Sequence, residues 1–329
     1  MNNNEYQSIK AISHSSIGWF EVSPKFFKAM LDKEIEQKPK KYFDFGDAFH
    51  CAVLQPSVFQ NNYVVINGVV PSHEYHKAFC ELMIKEKSPE SAYSKIYKVD
   101  NKKQEDIKKE ADKLYKTYSE YIDFLRNNQD KTFVDKESYV NIEMMKNSIA
   151  AHKFAGNLMF GDIELRTNYP DVEIYNELAI EFVWPKTASK CKSKIDKLIV
   201  NPIAKKVIII DLKSTGKPIR NFGKSAKHYN YVRQLAFYTT AVVEYLKECG
   251  IDFSDWSIEW YIVATEGFGL YETRVYELNS EQVFESVKEC SEIVGQITGH
   301  YELGEWDYPL GYYSGSGTEQ LTLNEEEND

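Results

Sequence analysis

The stretch KVIIIDLK, residues 206–213, constrains the fold more than any other part of this sequence. Residues 207–210 form an uninterrupted run of β-branched side chains, which is typical of a buried strand. Asp211 and Lys213 then follow without a turn or a glycine. Charged groups at the end of a core strand are costly unless something pairs them, and side chains two apart on a strand share a face. The stretch therefore predicts a core strand that ends in a polar site.

The remaining patterns predict a mixture of strands and helices. Alternating and apolar segments predict further strands at 175–184, 192–200, 256–264 and 271–278. The sequence NPIAKK predicts a hairpin turn before the central strand, and residues 214–228 predict a polar loop after it. Helices are predicted at 25–32, starting from Ser23-Pro24, and at 231–248 and 280–297. We expect one domain over 1–310, in which 75–155 is a mostly helical insertion or arm, and an acidic, flexible tail over 311–329.

The net charge of −10 conceals a basic segment. Residues 186–233 contain thirteen Lys or Arg and only two acids, Asp196 and Asp211, so this segment carries +11 and the rest of the chain −21. Most runs of charge are solvated surfaces, but these two acids lie among strand residues. The distribution therefore favours a site for a polyanion.

Cysteine content and hydropathy narrow the class of protein. The five cysteines are widely spaced and form no CxxC pair, which argues against disulfides and a zinc site. No apolar run approaches the length of a membrane span, and the first residues do not resemble a signal peptide. We expect a cytoplasmic protein with reduced thiols and no membrane partner.

Pairing of the predicted strands brings two carboxylates together. If 192–200 runs antiparallel to 207–213, Asp196 lies beside Asp211 at the end of the sheet. Two neighbouring carboxylates repel, and a divalent cation relieves that repulsion. Oxygen ligands suit Mg²⁺ or Mn²⁺, and Lys213 would orient a water or steady a developing charge. The arrangement predicts metal-assisted hydrolysis of a phosphodiester.

Several motifs together resemble one group of nucleases. Asp196 with Asp211-Leu212-Lys213 resembles the D…(D/E)-x-K motif of the PD-(D/E)xK superfamily. ISHSSIGWFEVSPKFFKAML and FDFGDAFHCAVLQPSVF resemble the amino-terminal region of RecE-type (exonuclease VIII-like) exonucleases, whose histidine His50 matches. YNELAIEFVW resembles the strand that carries the family's upstream glutamate, and RQLAFY resembles the Gln-Tyr helix motif of the RecB-like and lambda-exonuclease-like group. Asp211 stands where many relatives have Glu.

This resemblance implies a fold and a set of site residues. The implied fold is α/β (α+β), a mixed central sheet flanked by helices with an additional helical segment. The cofactor would be Mg²⁺, with Mn²⁺ as an alternative, and the cysteine spacing excludes the iron–sulfur cluster of some relatives. Groups at the metal would be Asp196, Asp211, the Leu212 carbonyl, His50 and Glu177. Lys213 would position the attacking water, and Gln234 would contact that water or the scissile phosphate. Glu181 shares a face with Glu177 and is an alternative for the glutamate.

The resemblance also implies partners. Members resect the 5′ strand of duplex DNA ends for a RecT-like annealing protein in recombination and repair, and they assemble as rings of three or four subunits. The implied protein is therefore bacterial or phage-encoded. Candidate DNA contacts are Lys217, Arg220, Lys224, Lys227, Arg233 and Tyr238. Two alternatives stay open, a non-catalytic DNA-binding or assembly protein with the same fold and a structure-specific endonuclease.

Overall fold

The structure is a computed structural model that describes residues 3–35, 41–86, 88–99, 102–128 and 130–318. Its amino-terminal elements are α1 Asn3–Ser8, α2 His14–Val22, α3 Pro24–Leu31, α4 Lys41–Leu54, α5 Pro56–Asn62, β1 Tyr63–Ile66, α6 Glu74–Lys85, α7 Pro89–Ile96, α8 Gln104–Thr117 and α9 Ser119–Asn127. They are followed by β2 Thr132–Asp135, α10 Lys136–Ala151, α11 Lys153–Phe160, α12 Asp162–Asn168, β3 Glu173–Val183, β4 Lys190–Asn201 and β5 Lys206–Thr215. The remaining elements are a 3-10 turn Ile219–Asn221, α13 Phe222–His228, α14 Tyr231–Glu248, β6 Ser257–Glu266, β7 Thr273–Glu277, α15 Ser280–Leu303 and α16 Leu310–Ser314.

A five-stranded mixed sheet with the order β3-β4-β5-β6-β7 forms the centre of the fold. Three of the four strand pairs are antiparallel, and β5 runs parallel to β6. The parallel pair requires a crossover, which α14 provides between the two strands. The predicted fold class, a mixed central sheet flanked by helices, is confirmed.

The central strand is apolar on both faces because helices cover both. Val207 and Ile209 belong to a buried cluster that includes the apolar side of α14 and α15. Ile210 and Leu212 belong to a second cluster with residues of α4 and α10. Burial on both faces explains why β5 has no alternation of polar and apolar residues until Asp211.

Capping residues define where two of the amino-terminal helices begin. Ser13 and Ser16 form a reciprocal capping box at the start of α2. The Ser23 hydroxyl accepts the Phe26 backbone N–H, and Pro24 occupies the first turn of α3, as the sequence predicted. These caps fix where the helices beside the sheet begin.

The region predicted as a helical arm divides between two cores. Residues of α6–α9 form their own buried cluster with residues of β1 and β2, a short parallel pair that periodicity did not predict. By contrast, Ile142, Met145 and Ile149 of α10 are buried with the sheet. The division into a 1–310 domain with an arm stays a prediction, and residues 319–329 of the expected tail lie outside the described residues.

The segment after β5 differs from the predicted loop. It contains the 3-10 turn and α13, because Ile219, Phe222 and Ser225 are buried. The carboxylate of Glu266 accepts the Ile219 backbone N–H at 2.7 Å and so holds the turn against β6. Among the described residues, no helix has the length and apolar character that a membrane span requires.

Candidate active site

The candidate site lies where β4 and β5 separate. Their antiparallel pairing ends at Lys197 opposite Ile210, so the next two opposed residues are Asp196 and Asp211. Beyond that point β5 pairs only with β6, up to Thr215. A side chain replaces the backbone pairing between β4 and β5 at this point: Asp196 Oδ2 accepts a hydrogen bond from the Leu212 backbone N–H at 2.8 Å. The separation thus places two carboxylates at the end of the central pair, as the strand register predicted.

Asp211 is completely buried, and its two oxygens differ in their contacts. The ammonium of Lys213 lies 2.8 Å from both oxygens and donates a hydrogen bond to Oδ1, whereas Oδ2 is in ion-pair contact with the same ammonium but accepts no hydrogen bond. The same ammonium lies 4.9 Å from the centre of the Tyr231 ring. A buried carboxylate oxygen that accepts no hydrogen bond is costly, so Oδ2 is suited to a further cation.

His50 and Glu177 reach Asp196 from two other elements. The Nδ1 atom of His50, on α4, lies 3.6 Å from Asp196 Oδ2 and 4.0 Å from Glu177 Oε1. Glu177 faces Asp196 across β3 and β4, but pairing is interrupted at this position. Its backbone adopts a left-handed conformation with φ of +55°, which is uncommon for a non-glycine residue. Strained backbone of this kind is concentrated at functional sites.

Glu181, the alternative to Glu177, is placed elsewhere. It lies opposite Lys192 and is exposed. By contrast, His50, Glu177 and Asp196 each offer a ligand atom, and these atoms lie within 4.8 Å of one another. Of the two glutamates, the geometry therefore brings only Glu177 to the site.

Burial and neighbouring charges set the protonation of the site. Burial lowers the pKa of His50 to about 4, and nearby Lys213 adds to the effect, so the imidazole is neutral and available as a ligand. Burial also raises the pKa of Asp196 and Asp211, and repulsion from Asp196 adds to the shift at Asp211. Burial opposes a charge on Lys213, but the attraction of Asp211 and Asp196 outweighs it and raises its pKa. The site therefore combines three acidic side chains, Glu177, Asp196 and Asp211, with the ammonium groups of Lys194 and Lys213.

These side chains fit a divalent metal ion. Carboxylate oxygens and a neutral imidazole are ligands that Mg²⁺, Mn²⁺ and related cations accept. The cluster of His50, Glu177 and Asp196 supplies three donors, and the Asp211 oxygen that accepts no hydrogen bond lies on the neighbouring strand. Ligation by the Leu212 carbonyl stays a prediction.

Gln234 and Tyr238 lie one turn apart on α14, and the Gln234 side-chain amide donates to the Tyr238 hydroxyl at 2.7 Å. Tyr238 is buried, and burial together with the charges of Asp196 and Asp211 raises its pKa. The expectation that Tyr238 contacts DNA is therefore corrected: its hydroxyl holds Gln234 in place behind the carboxylates.

Arg233 also requires a correction. Its guanidinium is buried and forms ion pairs with Glu21 of α2 and Glu289 of α15. These contacts join three helices and leave the group covered, so we withdraw Arg233 as a DNA contact. The other predicted contacts are exposed on the segment that follows β5: Lys217, Arg220, Lys224 and Lys227.

The structure adds two residues that sequence reasoning missed. Lys194 forms an ion pair with Glu177, and strand alternation, which places it on the same face as Asp196, was the available signal. His14, at the start of α2, has a buried Nε2 without a hydrogen-bond partner. Burial and the charges of Arg233 and Lys213 lower its pKa to about 4. No spacing rule indicated that this histidine lies near the strand end.

The sheet, the separated strand end and the Asp196, Asp211 and Lys213 constellation define a core of the PD-(D/E)xK nuclease superfamily. The chain belongs to the family described as PDDEXK-like domain of unknown function (DUF3799), whose model matches residues 13–307. A comparison with curated proteins gives no match. A crystal structure from Eubacterium rectale described as "Putative exonuclease" is similar with a TM-score of 0.48 and 12% identity, over 98% of this chain and 96% of that chain.

Proposed function

We propose that this protein is a Mg²⁺-dependent deoxyribonuclease of the RecE type, which resects the 5′ strand from the ends of duplex DNA. The observation that carries the proposal is the cluster of His50, Glu177 and Asp196, whose ligand atoms lie within 4.8 Å of one another beside the buried ion pair of Asp211 and Lys213. A plain salt bridge would not require Asp196, Glu177 and His50 around the same strand end. Mn²⁺ is an alternative cation.

The residues of the chain have distinct roles in this proposal. Asp196, Asp211, Glu177 and His50 hold the metal. A bound divalent cation polarises a phosphoryl oxygen and lowers the pKa of a coordinated water. Lys213, fixed by Asp211, orients the attacking water, and Gln234, fixed by Tyr238, contacts that water or the scissile phosphate. The exposed cations that follow β5 bind the phosphates of the strand.

Cleavage of end-labelled DNA tests the proposal. A linear duplex with different labels at its 5′ and 3′ ends is incubated with Mg²⁺, with a chelator, and with the variant Lys213→Ala. We expect metal-dependent loss of the 5′ label by the wild-type protein and a loss of at least about a hundredfold in rate for the variant. Glu181→Gln, an exposed substitution on the same strand as Glu177, is the matched control and retains the rate.

Two results would refute parts of this proposal. Cutting of covalently closed circular duplex would identify an endonuclease. DNA binding without cleavage under Mg²⁺ or Mn²⁺ would favour the non-catalytic DNA-binding protein. Two further parts of the proposal rest on the sequence resemblance. They are assembly into a ring of three or four subunits and a RecT-like annealing partner in the bacterial or phage cytoplasm. Light scattering tests the number of subunits.

A further inference from the structure

A ladder of aromatic rings leads from the edge of the sheet to the candidate site. The Tyr276 ring of β7 stacks on Phe222 of α13 with centroids 5.0 Å apart and planes 16° apart. Phe222 stacks on Tyr231 at 5.7 Å and 27°, and Tyr231 stacks on Tyr229 at 5.8 Å and 24°. Each ring is therefore stacked on the next, with the planes of consecutive rings no more than 27° apart.

The two ends of the ladder have different environments. Tyr276 and Phe222 are anchored in the protein, because Phe222 is buried and the Tyr276 hydroxyl donates to the Ile219 carbonyl at 3.3 Å. At the other end, residue Tyr229 is 55% exposed. Its further aromatic contact is His228, which meets it edge to face at 4.7 Å. A rigid stack of this kind presents an ordered aromatic surface at little entropic cost.

The ladder is directly connected to the proposed chemistry. Tyr231 contacts the ammonium of Lys213, so Tyr229 lies one ring away from the lysine that orients the water. Asn230, between the two tyrosines, adopts the left-handed conformation with φ of +53°. Lys224 and Lys227 are exposed on the helix that immediately precedes Tyr229. Aromatic faces next to cations are the combination that binds single-stranded nucleic acid, because bases stack while phosphates pair with charge.

We infer that Tyr229 is a stacking platform for an unpaired nucleobase of the strand being cut, close to the scissile phosphate. This inference rests on the proposed function. The bases of an intact duplex are covered by their neighbours on both faces, so only a frayed or single-stranded nucleotide has a free face to stack. The platform would therefore make the enzyme prefer ends with unpaired terminal nucleotides and act on every base, since stacking does not read base edges.

Binding of DNA with and without a base tests the platform. Affinities are measured in the Asp211→Asn background for duplexes with a three-nucleotide unpaired end, in which each unpaired position in turn is abasic. We expect Tyr229→Ala to weaken binding by about 5- to 150-fold, the range of one base–aromatic stack. In the Asp211→Asn protein, an abasic nucleotide at one of the three positions weakens binding by the same factor as Tyr229→Ala. In the protein that also carries Tyr229→Ala, this abasic nucleotide does not weaken binding further.

Control variants separate stacking from other effects. Tyr229→Phe keeps the ring and restores the affinity, whereas Tyr75→Ala removes a similarly exposed tyrosine, 57% exposed, from the helical arm and leaves it unchanged. The salt dependence of binding is unchanged by Tyr229→Ala, because no charge is lost.

The inference would be overturned if the effects of the abasic nucleotide and of Tyr229→Ala were additive, or if Tyr229→Ala did not change the affinity. Either result would leave the proposed nuclease activity unaffected. Absence of DNA cleavage by the wild-type protein would instead refute the proposed function, and the coupling between Tyr229 and the base would still be measurable by binding.

Discussion

Without metal, Asp211 should destabilise the folded protein at neutral pH, and this effect can be isolated by Asp211→Asn. The substitution keeps the shape of the side chain and removes its charge. Burial, reinforced by repulsion from Asp196, raises the pKa of Asp211 from 3.8 to about 6 in the folded state. A carboxyl group that binds its proton more tightly in the folded than in the unfolded protein contributes stability below the unfolded pKa. That contribution is lost as the pH rises through the folded pKa.

The magnitude follows from the shift. One pKa unit corresponds to about 1.4 kcal/mol, so ionisation of Asp211 costs the folded state roughly 3 kcal/mol. The loss falls between about pH 4 and pH 6, the window set by the two pKa values. Asp211→Asn has no such titration. The free energy of unfolding of the variant should therefore rise relative to that of the wild type by roughly 3 kcal/mol across this window.

Urea denaturation at closely spaced pH values, in the presence of a chelator, measures both proteins. Glu181→Gln is the control, because this exposed carboxylate on the same sheet has no place in the site. Millimolar Mg²⁺ should stabilise the wild type at pH 7 but not the variant, since the ion binds the ionised carboxylates of the folded state. If the free energy of unfolding depended on pH in the same way for the wild type and Asp211→Asn, the raised pKa of the buried Asp211 carboxyl group would be refuted.

Four further substitutions test the packing and the metal ligands of the site. Arg233→Ala should destabilise the fold by about 1–3 kcal/mol, because two glutamates lose a buried partner, and an unchanged urea midpoint would contradict this. Lys197→Ala should cost about 2–4 kcal/mol, whereas Lys197→Met, which fills the same buried space, should cost less. His50→Ala should weaken divalent-metal binding by at least about tenfold in calorimetry, and equal affinity would exclude the imidazole as a ligand.

The fold was largely predictable because its strands have strong local signals. The run 207–210 is buried on both faces, and the segments at 175–184 and 192–200 pair with the neighbours that the short turn imposes. The pair β1 and β2 was not predictable in the same way. Each strand has only four residues, and their contact joins positions some seventy residues apart. A parallel pair closed over that distance has no signature within either segment.

The site residues that share a strand face could be predicted from strand alternation. The site residues that tertiary packing brings together could not be predicted as well. Asp211 and Lys213 share a face by geometry alone. The choice between Glu177 and Glu181 depended on the register of β3 against β4, which places Glu177 opposite Asp196 and Glu181 opposite Lys192, and alternation alone does not give that register. His14 comes to the strand end only because α2 packs against α14 and α15. No pattern in one segment encodes that contact.

The basic segment 186–233 shows how a charge count overstates a binding surface. Lys192 donates to the carbonyls of Tyr6 and Ile9, Lys197 to the Met159 carbonyl, and the Arg233 guanidinium is buried in an ion pair.

Two more lysines of this segment, Lys194 and Lys213, bind site carboxylates. The exposed cations next to the site, on the segment after β5, are Lys217, Arg220, Lys224 and Lys227. Each phosphate contact contributes about −0.9 to the slope of log affinity against log salt, so four contacts predict a slope of about −4 rather than about −12 for thirteen.

Charge reversal of Lys224 and Lys227 together should reduce the magnitude of this slope by about 2, measured by DNA binding over a series of salt concentrations. Reversal of Lys205, which pairs with Asp255 beside the turn between β4 and β5, is the matched control and should leave the slope unchanged. A slope that stays the same in the Lys224 and Lys227 variant would mean that the phosphates bind elsewhere. The local accumulation of basic residues would then serve the packing of the sheet and its helices, as Lys192, Lys197 and Arg233 already do.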